Sequence, residues 1–111
     1  VGHHPKDNER VLIIDDVITD GGALIESMDI LTKIANLKYS GVMLSVNRRE
    51  KTKQGKNAVW NFEKKYCMPI RFIVTVREIM DCLHNNQING QVYITDKIHN
   101  KMEEYLKTYG V

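Results

Sequence analysis

The chain predicts an α/β fold, a parallel sheet flanked by helices, and two observations carry that expectation. Short β-branched apolar runs alternate with stretches of helical period in the order strand–helix–strand–helix–strand–helix, which is how parallel strands joined by crossover helices read. The 111 residues also hold no internal repeat and no low-complexity block, so 1–111 reads as one domain at most, or a portion of one.

Arg10-Val-Leu-Ile-Ile14 is apolar, β-branched and closed by Asp15-Asp16, the pattern of a buried first strand. From Ala23 to about Asn36 the apolar residues Leu24, Met28, Leu31 and Ala35 fall at helical spacing, with Ile25, Ile30 and Ile34 widening the stripe. Ser40 to Val46 reads as the second strand, and the polar run Asn47 to Lys56 as a surface loop. Asn57 to Tyr66 puts Val59, Phe62 and Tyr66 on one helical face. Pro69 breaks that pattern, and Ile70 to Thr75 is the third strand. Thr75-Val-Arg-Glu78 is a capping box that opens a short helix with Ile79, Met80 and Leu83 inward. Asn85 to Gly90 is expected to be a loop, and Ile98, Met102, Tyr105 and Tyr109 mark a last amphipathic helix. Three strands make a small parallel sheet, and such sheets are normally covered on both faces. Further strands upstream of Val1 are therefore expected to complete the domain.

Composition narrows the function classes. Sixteen Lys and Arg against 14 Asp and Glu leave a net charge of +2, too little for nucleic-acid binding through bulk charge. Two cysteines make no disulfide scaffold and lack metal-ligand spacing. The longest apolar runs fall well short of the roughly 20 residues that cross a bilayer, and the opening VGHHPKDNER has no apolar signal core. The expectation is a cytoplasmic, reduced protein with no membrane and no nucleic-acid partner.

The informative stretch is Val11 to Ala23, VLIIDDVITDGGA. In an open α/β sheet, ligands bind beyond the carboxyl ends of the strands, where this loop is expected to lie. Gly21 and Gly22 allow close backbone approach and unusual dihedrals. The amides of Thr19 to Ala23, with the positive end of the following helix, are then aimed at an anion. No Gly-Lys-Ser/Thr follows, and the glycines lack dinucleotide-fingerprint spacing. Asp15 and Asp16 would repel a phosphate, so they need another purpose. Carboxylates accept ribose hydroxyls, hold a hydrated Mg²⁺ brought by a pyrophosphate, and favour positive charge developing on a sugar ring.

These residues resemble the phosphoribosyl-pyrophosphate motif of type I phosphoribosyltransferases: four apolar residues, two acids, two apolar residues, then a Thr/Gly-rich loop. The Asp-Asp-Val-Ile-Thr form is most similar to the orotate phosphoribosyltransferases. Asn47-Arg-Arg-Glu50 resembles that family's Asp-Arg-Gln-Glu, and Glu63-Lys-Lys-Tyr66 followed by Met68-Pro-Ile resembles its helix-to-strand passage. The ending through Tyr109-Gly110-Val111 and the opening Val1-Gly2 are similar as well. The resemblance implies the C-terminal portion of a phosphoribosyltransferase domain in pyrimidine biosynthesis, making orotidine monophosphate with Mg²⁺ as cofactor. It implies that Asp15, Asp16, Val17, Ile18, Thr19, Asp20, Gly21, Gly22 and Ala23 bind phosphoribosyl pyrophosphate, the two acids through the ribose hydroxyls. Mg²⁺ would meet Asp15 and Asp16 only through water. Thr19 and Arg48 would contact orotate, Arg48 with its planar donor fork. No catalytic residue is expected in this chain, because the family's mobile-loop Lys and His residues come from upstream and reach across a homodimer with shared active sites. The chain alone is accordingly expected to be inactive, or to work with a segment supplied separately.

Three positions depart from the family pattern. Asp20 replaces a small residue, and its side chain is expected to point outward with only its amide used. Gly22 replaces a hydroxyl donor, and Gly21-Gly22 is also similar to adenine phosphoribosyltransferases, which keeps adenine or hypoxanthine open as the base. Asn47 replaces an acid beside Arg48. A regulator that keeps the loop only as a ligand sensor is a further alternative, opposed by the retention of Asp15, Asp16 and Arg48. Elsewhere Trp60 and Phe62 are expected in the core, Cys67 and Cys82 as packed thiols, and Met28, Met80 and Met102 as gap fillers. Arg49, Lys51, Lys53 and Lys56 are expected at the surface or as groups that attract pyrophosphate, and His84 and His99 exposed.

Overall fold

The computed structural model describes residues 2–111, so the Val1 end of the Val1-Gly2 likeness lies outside the described residues. The strands are β1 (Arg10–Asp15), β2 (Lys38–Asn47) and β3 (Ile70–Thr75), and the helices between them are α1 (Gly22–Thr32) and α2 (Ala58–Tyr66). After β3 come α3 (Val76–Leu83), a hairpin of β4 (Gln87–Ile88) and β5 (Gln91–Val92), and α4 (Asp96–Tyr109). The three long strands are parallel in the order β1-β2-β3, as the alternation of periods predicts. Their carboxyl ends lie together: Asp15 is opposite Leu44, and Asn47 is opposite Thr75.

The order matters for what is covered. Both crossovers step across the sheet in the same direction, and crossovers of one hand stepping one way fall on one face. Leu24 of α1 and Phe62 of α2 accordingly pack with Val42, Leu44 and Ile70 in one core cluster, and Ile18 of the loop after β1 joins them. Among the described residues the opposite face is bare: Ile14 is 74% exposed and Ile73 78%, with Leu12 beside them. The radius of gyration is 17.4 Å, where a compact chain of this length has about 13 Å. A second, smaller cluster joins Met80 of α3, Leu106 of α4 and Ile94.

A β-bulge at Ser40 separates the pair Val11–Tyr39 from Leu12–Gly41. Gly41 has φ 152°, and a Cβ there would stand 2.8 Å from the Pro69 carbonyl oxygen, which accepts the Val42 N–H. Only glycine fits. The Thr75 capping box forms as predicted, with Glu78 accepting the Thr75 N–H and Thr75 Oγ1 accepting the Glu78 N–H.

Several expectations need correction. α1 stops at Thr32 rather than near Asn36, because the Lys33 and Ile34 amides turn to acceptors three residues back and tighten the final turn. Ile30 and Ile34 are exposed instead of widening a buried stripe. Trp60 is 55% exposed beneath the Lys64 ammonium, so only Phe62 of that pair is core. Cys67 and Cys82 are exposed free thiols. Met80 is fully buried, whereas Met28 and Met102 are half-buried at the margins of their clusters. His84 and His99 are half-buried and stacked, with ring centroids 4.0 Å apart. The expected loop at 85–90 contains half of the β4–β5 hairpin, turned by Asn89 at φ 52° and Gly90 at φ 80°. Two successive positive φ values are the mark of a type I′ turn, for which Asn-Gly is the preferred pair.

Candidate functional site

The loop after β1 is built by three anchors. The ladder continues past the strand, with Val46 N donating to the Asp16 carbonyl at 3.0 Å. Ile18 is buried in the main cluster and pins the middle of the loop. Gly21 is buried at φ 84°, the left-handed region that favours glycine, and serves as the N-cap residue of α1. A Cβ on Gly21 would approach Phe62 Cδ2 at 3.1 Å, so the α2 ring sets how deep the turn sits. Thr19, Asp20, Gly22 and Ala23 remain exposed. Asp15, Val17, Ile18, Thr19, Gly21 and Gly22, with the start of α1 through Leu24, line a notch of about 40 Å³. Helix geometry leaves the first amides of α1 without intrahelical acceptors, and they open here.

The acids of the loop turn onto its own backbone. Asp15 Oδ1 accepts the Asp16 N–H at 2.9 Å, and Asp16 Oδ1 accepts the Val17 N–H at 2.7 Å. Asp15 is half-buried and Asp16 exposed. Asp20 behaves differently from the outward, amide-only expectation. Its Oδ1 accepts the Gly22 N–H at 3.0 Å, although the side chain borders a neighbouring cavity with Lys53 and Lys65 rather than the notch. That cavity, about 330 Å³, lies between the 52–58 loop and α2. The Gly22 amide is thus already satisfied by a carboxylate.

Arg48 lies just past the carboxyl end of β2, on the same end of the sheet as Asp15 and Asp16, yet it lines a different cavity. That space of about 360 Å³ is walled by Val76, Ile98, Met102 and Leu106, with Glu50 and Tyr105 beside Arg48. Arg48 Nη2 donates to Glu50 Oε1 at 2.6 Å. Tyr105 Oη donates to the same oxygen at 3.0 Å, and that bond to Glu50 raises the Tyr105 phenol above its ordinary value. Asn47, which replaces an acid, accepts the Arg49 N–H through Oδ1 at 2.9 Å and holds Arg49 at φ 53°. Sequence reasoning passed over Glu50 and Tyr105. The Glu50 of the Asn-Arg-Arg-Glu run was a signal for the first; nothing local pointed to the second.

Among the described residues, no group of three or more His, Cys, Asp or Glu side chains is arranged to hold a metal ion. Asp15 and Asp16 each keep a second carboxylate oxygen beside the one bonded to the backbone, which suits a hydrated divalent cation. Among the described residues, no helix is long and apolar enough to cross a membrane.

Comparison with known proteins bears on this arrangement. No family model matches the chain. It is 38% identical over 110 residues to the orotate phosphoribosyltransferase of Clostridium botulinum (strain Alaska E43 / Type E3), covering 99% of this chain and 49% of that protein. It is 36% identical over 111 residues to that of Clostridium acetobutylicum, covering all of this chain and 50% of the relative. The crystal structure of the Francisella tularensis orotate phosphoribosyltransferase superposes with a TM-score of 0.67 at 29% identity, over 92% of this chain and 47% of that one. The Leishmania donovani UMP synthase shares the fold, with a TM-score of 0.71 at 20% identity, over 97% of this chain and 21% of that one. The resemblance read from the motifs holds along the whole chain, and the fold is of the type I phosphoribosyltransferase kind. The chain spans about half the length of the curated relatives it matches.

Proposed function

We propose that the chain is the C-terminal portion of an orotate phosphoribosyltransferase, the part that grips the phosphoribosyl group and one side of the base. The enzyme would move phosphoribosyl from its pyrophosphate to orotate, giving orotidine monophosphate and pyrophosphate. The observation that carries this reading is the Asp15-Asp16 pair beside a glycine turn opening α1, at the carboxyl end of a parallel strand. The likeness to orotate phosphoribosyltransferases along the whole chain supports it.

Each acid uses its Oδ1 on the backbone, and a carboxylate has a second oxygen for a ribose hydroxyl. Their charge favours an oxocarbenium-like sugar as the glycosidic bond changes hands. The amides from Thr19 to Ala23 would take the 5′-phosphate, that of Gly22 once Asp20 releases it, with the positive end of α1 adding to their attraction. Thr19 and Arg48 would meet the orotate ring and carboxylate. Mg²⁺, held by the pyrophosphate and reached from Asp15 and Asp16 through water, would neutralise the leaving group. The proton-handling Lys and His would come from outside these 111 residues, across a homodimer in the cytoplasm. A second reading, with adenine or hypoxanthine as the base, is favoured by Gly21-Gly22.

Calorimetric titration separates these. Phosphoribosyl pyrophosphate with Mg²⁺ is expected to bind, and replacing both acids, Asp15→Asn with Asp16→Asn, is expected to weaken it at least tenfold, about 1.4 kcal/mol. Binding untouched by that change overturns the role of the acids. Adenine binding tighter than orotate overturns the choice of base.

A further inference from the structure

The Arg48 guanidinium is tied, through Glu50 two residues on, to a part of the chain far from it in sequence. Glu50 Oε1 takes a hydrogen bond from Arg48 Nη2 and another from the Tyr105 hydroxyl, 55 residues further on in α4. The Glu50 side chain is only 16% exposed, so its charge is poorly screened and the pair is directional. The backbone around it is fixed by the chain's end. Lys51 N donates to the Tyr109 carbonyl at 2.7 Å, and Val111 N donates to the Arg49 carbonyl at 2.8 Å, with Glu50 bridged to Gly110. Gly110 closes against the last turn of α4, where a Cβ would clash with the Leu106 carbonyl oxygen. The segment 109–111 thus forms an antiparallel strap along residues 49–51.

We propose that Tyr105 is a positioning residue for base recognition, acting through Glu50 to set the Arg48 guanidinium, with the terminal strap holding the same loop in register. This rests on the reading of Arg48 as a base contact. An unrestrained arginine loses several rotamers on binding a planar anion, and a guanidinium already oriented by a carboxylate that is itself tied to Tyr105 loses fewer. Tyr105 touches neither the notch nor its acids. Its effect should therefore appear in the base and not in the phosphoribosyl group.

The test uses the full chain, ¹⁵N-labelled at arginine, with Tyr105→Phe and Arg48→Ala variants. Tyr105→Phe removes one hydroxyl and keeps the ring, and a thermal melt checks that the fold stands. The expected result is a faster-rotating Arg48 guanidinium by NMR, with orotate weakened about fivefold and phosphoribosyl pyrophosphate unchanged. Glu50→Gln should reproduce the loss, and Glu50→Asp combined with intact Tyr105 should restore part of it. An Arg48 signal unaltered by Tyr105→Phe overturns the proposal. Equal weakening of both ligands does so too, since it marks a merely structural role. If orotate does not bind the parent chain, or binds Arg48→Ala equally well, the base-contact reading itself falls, whatever the NMR of Arg48 shows.

Discussion

The Phe62 ring lies against Gly21, close enough that a Cβ on that glycine would stand 3.1 Å from Cδ2 of the ring. A core residue of α2 therefore sets the floor of the turn that opens α1. Loop depth is decided by side-chain packing as much as by the backbone freedom of the glycine.

Gly21→Ala is expected to be costly for both reasons. The left-handed conformation at φ 84° disfavours a Cβ by about 1–2 kcal/mol, and the ring must also give way. We expect a stability loss of about 1–3 kcal/mol in urea unfolding and weaker phosphoribosyl pyrophosphate binding. Full stability together with unchanged binding would show that the turn is not held in this form.

Asp20→Ala is expected to act in the opposite direction on binding. The Asp20 carboxylate accepts the Gly22 N–H at 3.0 Å, so an incoming phosphate meets a competitor of its own charge there. Freeing that amide should tighten phosphoribosyl pyrophosphate several-fold, on the order of 1 kcal/mol for one hydrogen bond regained. Weaker binding by calorimetry would mean that the carboxylate shapes the loop for its ligand instead of competing with it.

Acid should loosen the α3–α4 lobe at its helix starts. The Asn85 amide, then His84, lower the Asp96 carboxyl below its ordinary value, and the Thr75 hydroxyl and amide lower Glu78 in the same sense. A carboxylate depressed in the folded state stabilises above its unfolded pKa, near 4, and that contribution disappears as pH falls through the folded value. Melting temperature is therefore expected to drop below about pH 4, with Asp96→Asn flattening the slope. An identical slope in the variant would place the acid sensitivity elsewhere.

Much of the architecture was legible because the signals are local. Strand and helix periods act over a few residues, and so does the Thr75–Glu78 capping box, which forms as read. The Asn89-Gly90 turn was equally legible, and was missed because two-residue strands are too short to show a period. Trp60 was misplaced for a different reason: spacing marks a stripe on a helix, and only the partner surface decides which residue of the stripe is covered. Asp15, Asp16 and the glycine turn could be picked out together because they are contiguous.

From the sequence alone came the alternation of elements, the Thr75–Glu78 capping box and the contiguous loop after β1, since each depends on neighbours within about one helical turn. Only the tertiary structure decided which sheet face stays bare, that Phe62 supports Gly21, and that Tyr105 reaches Glu50 across 55 positions. Those relations join residues that the chain brings together only after its sheet and helices have packed, and no local pattern encodes which distant side chain arrives.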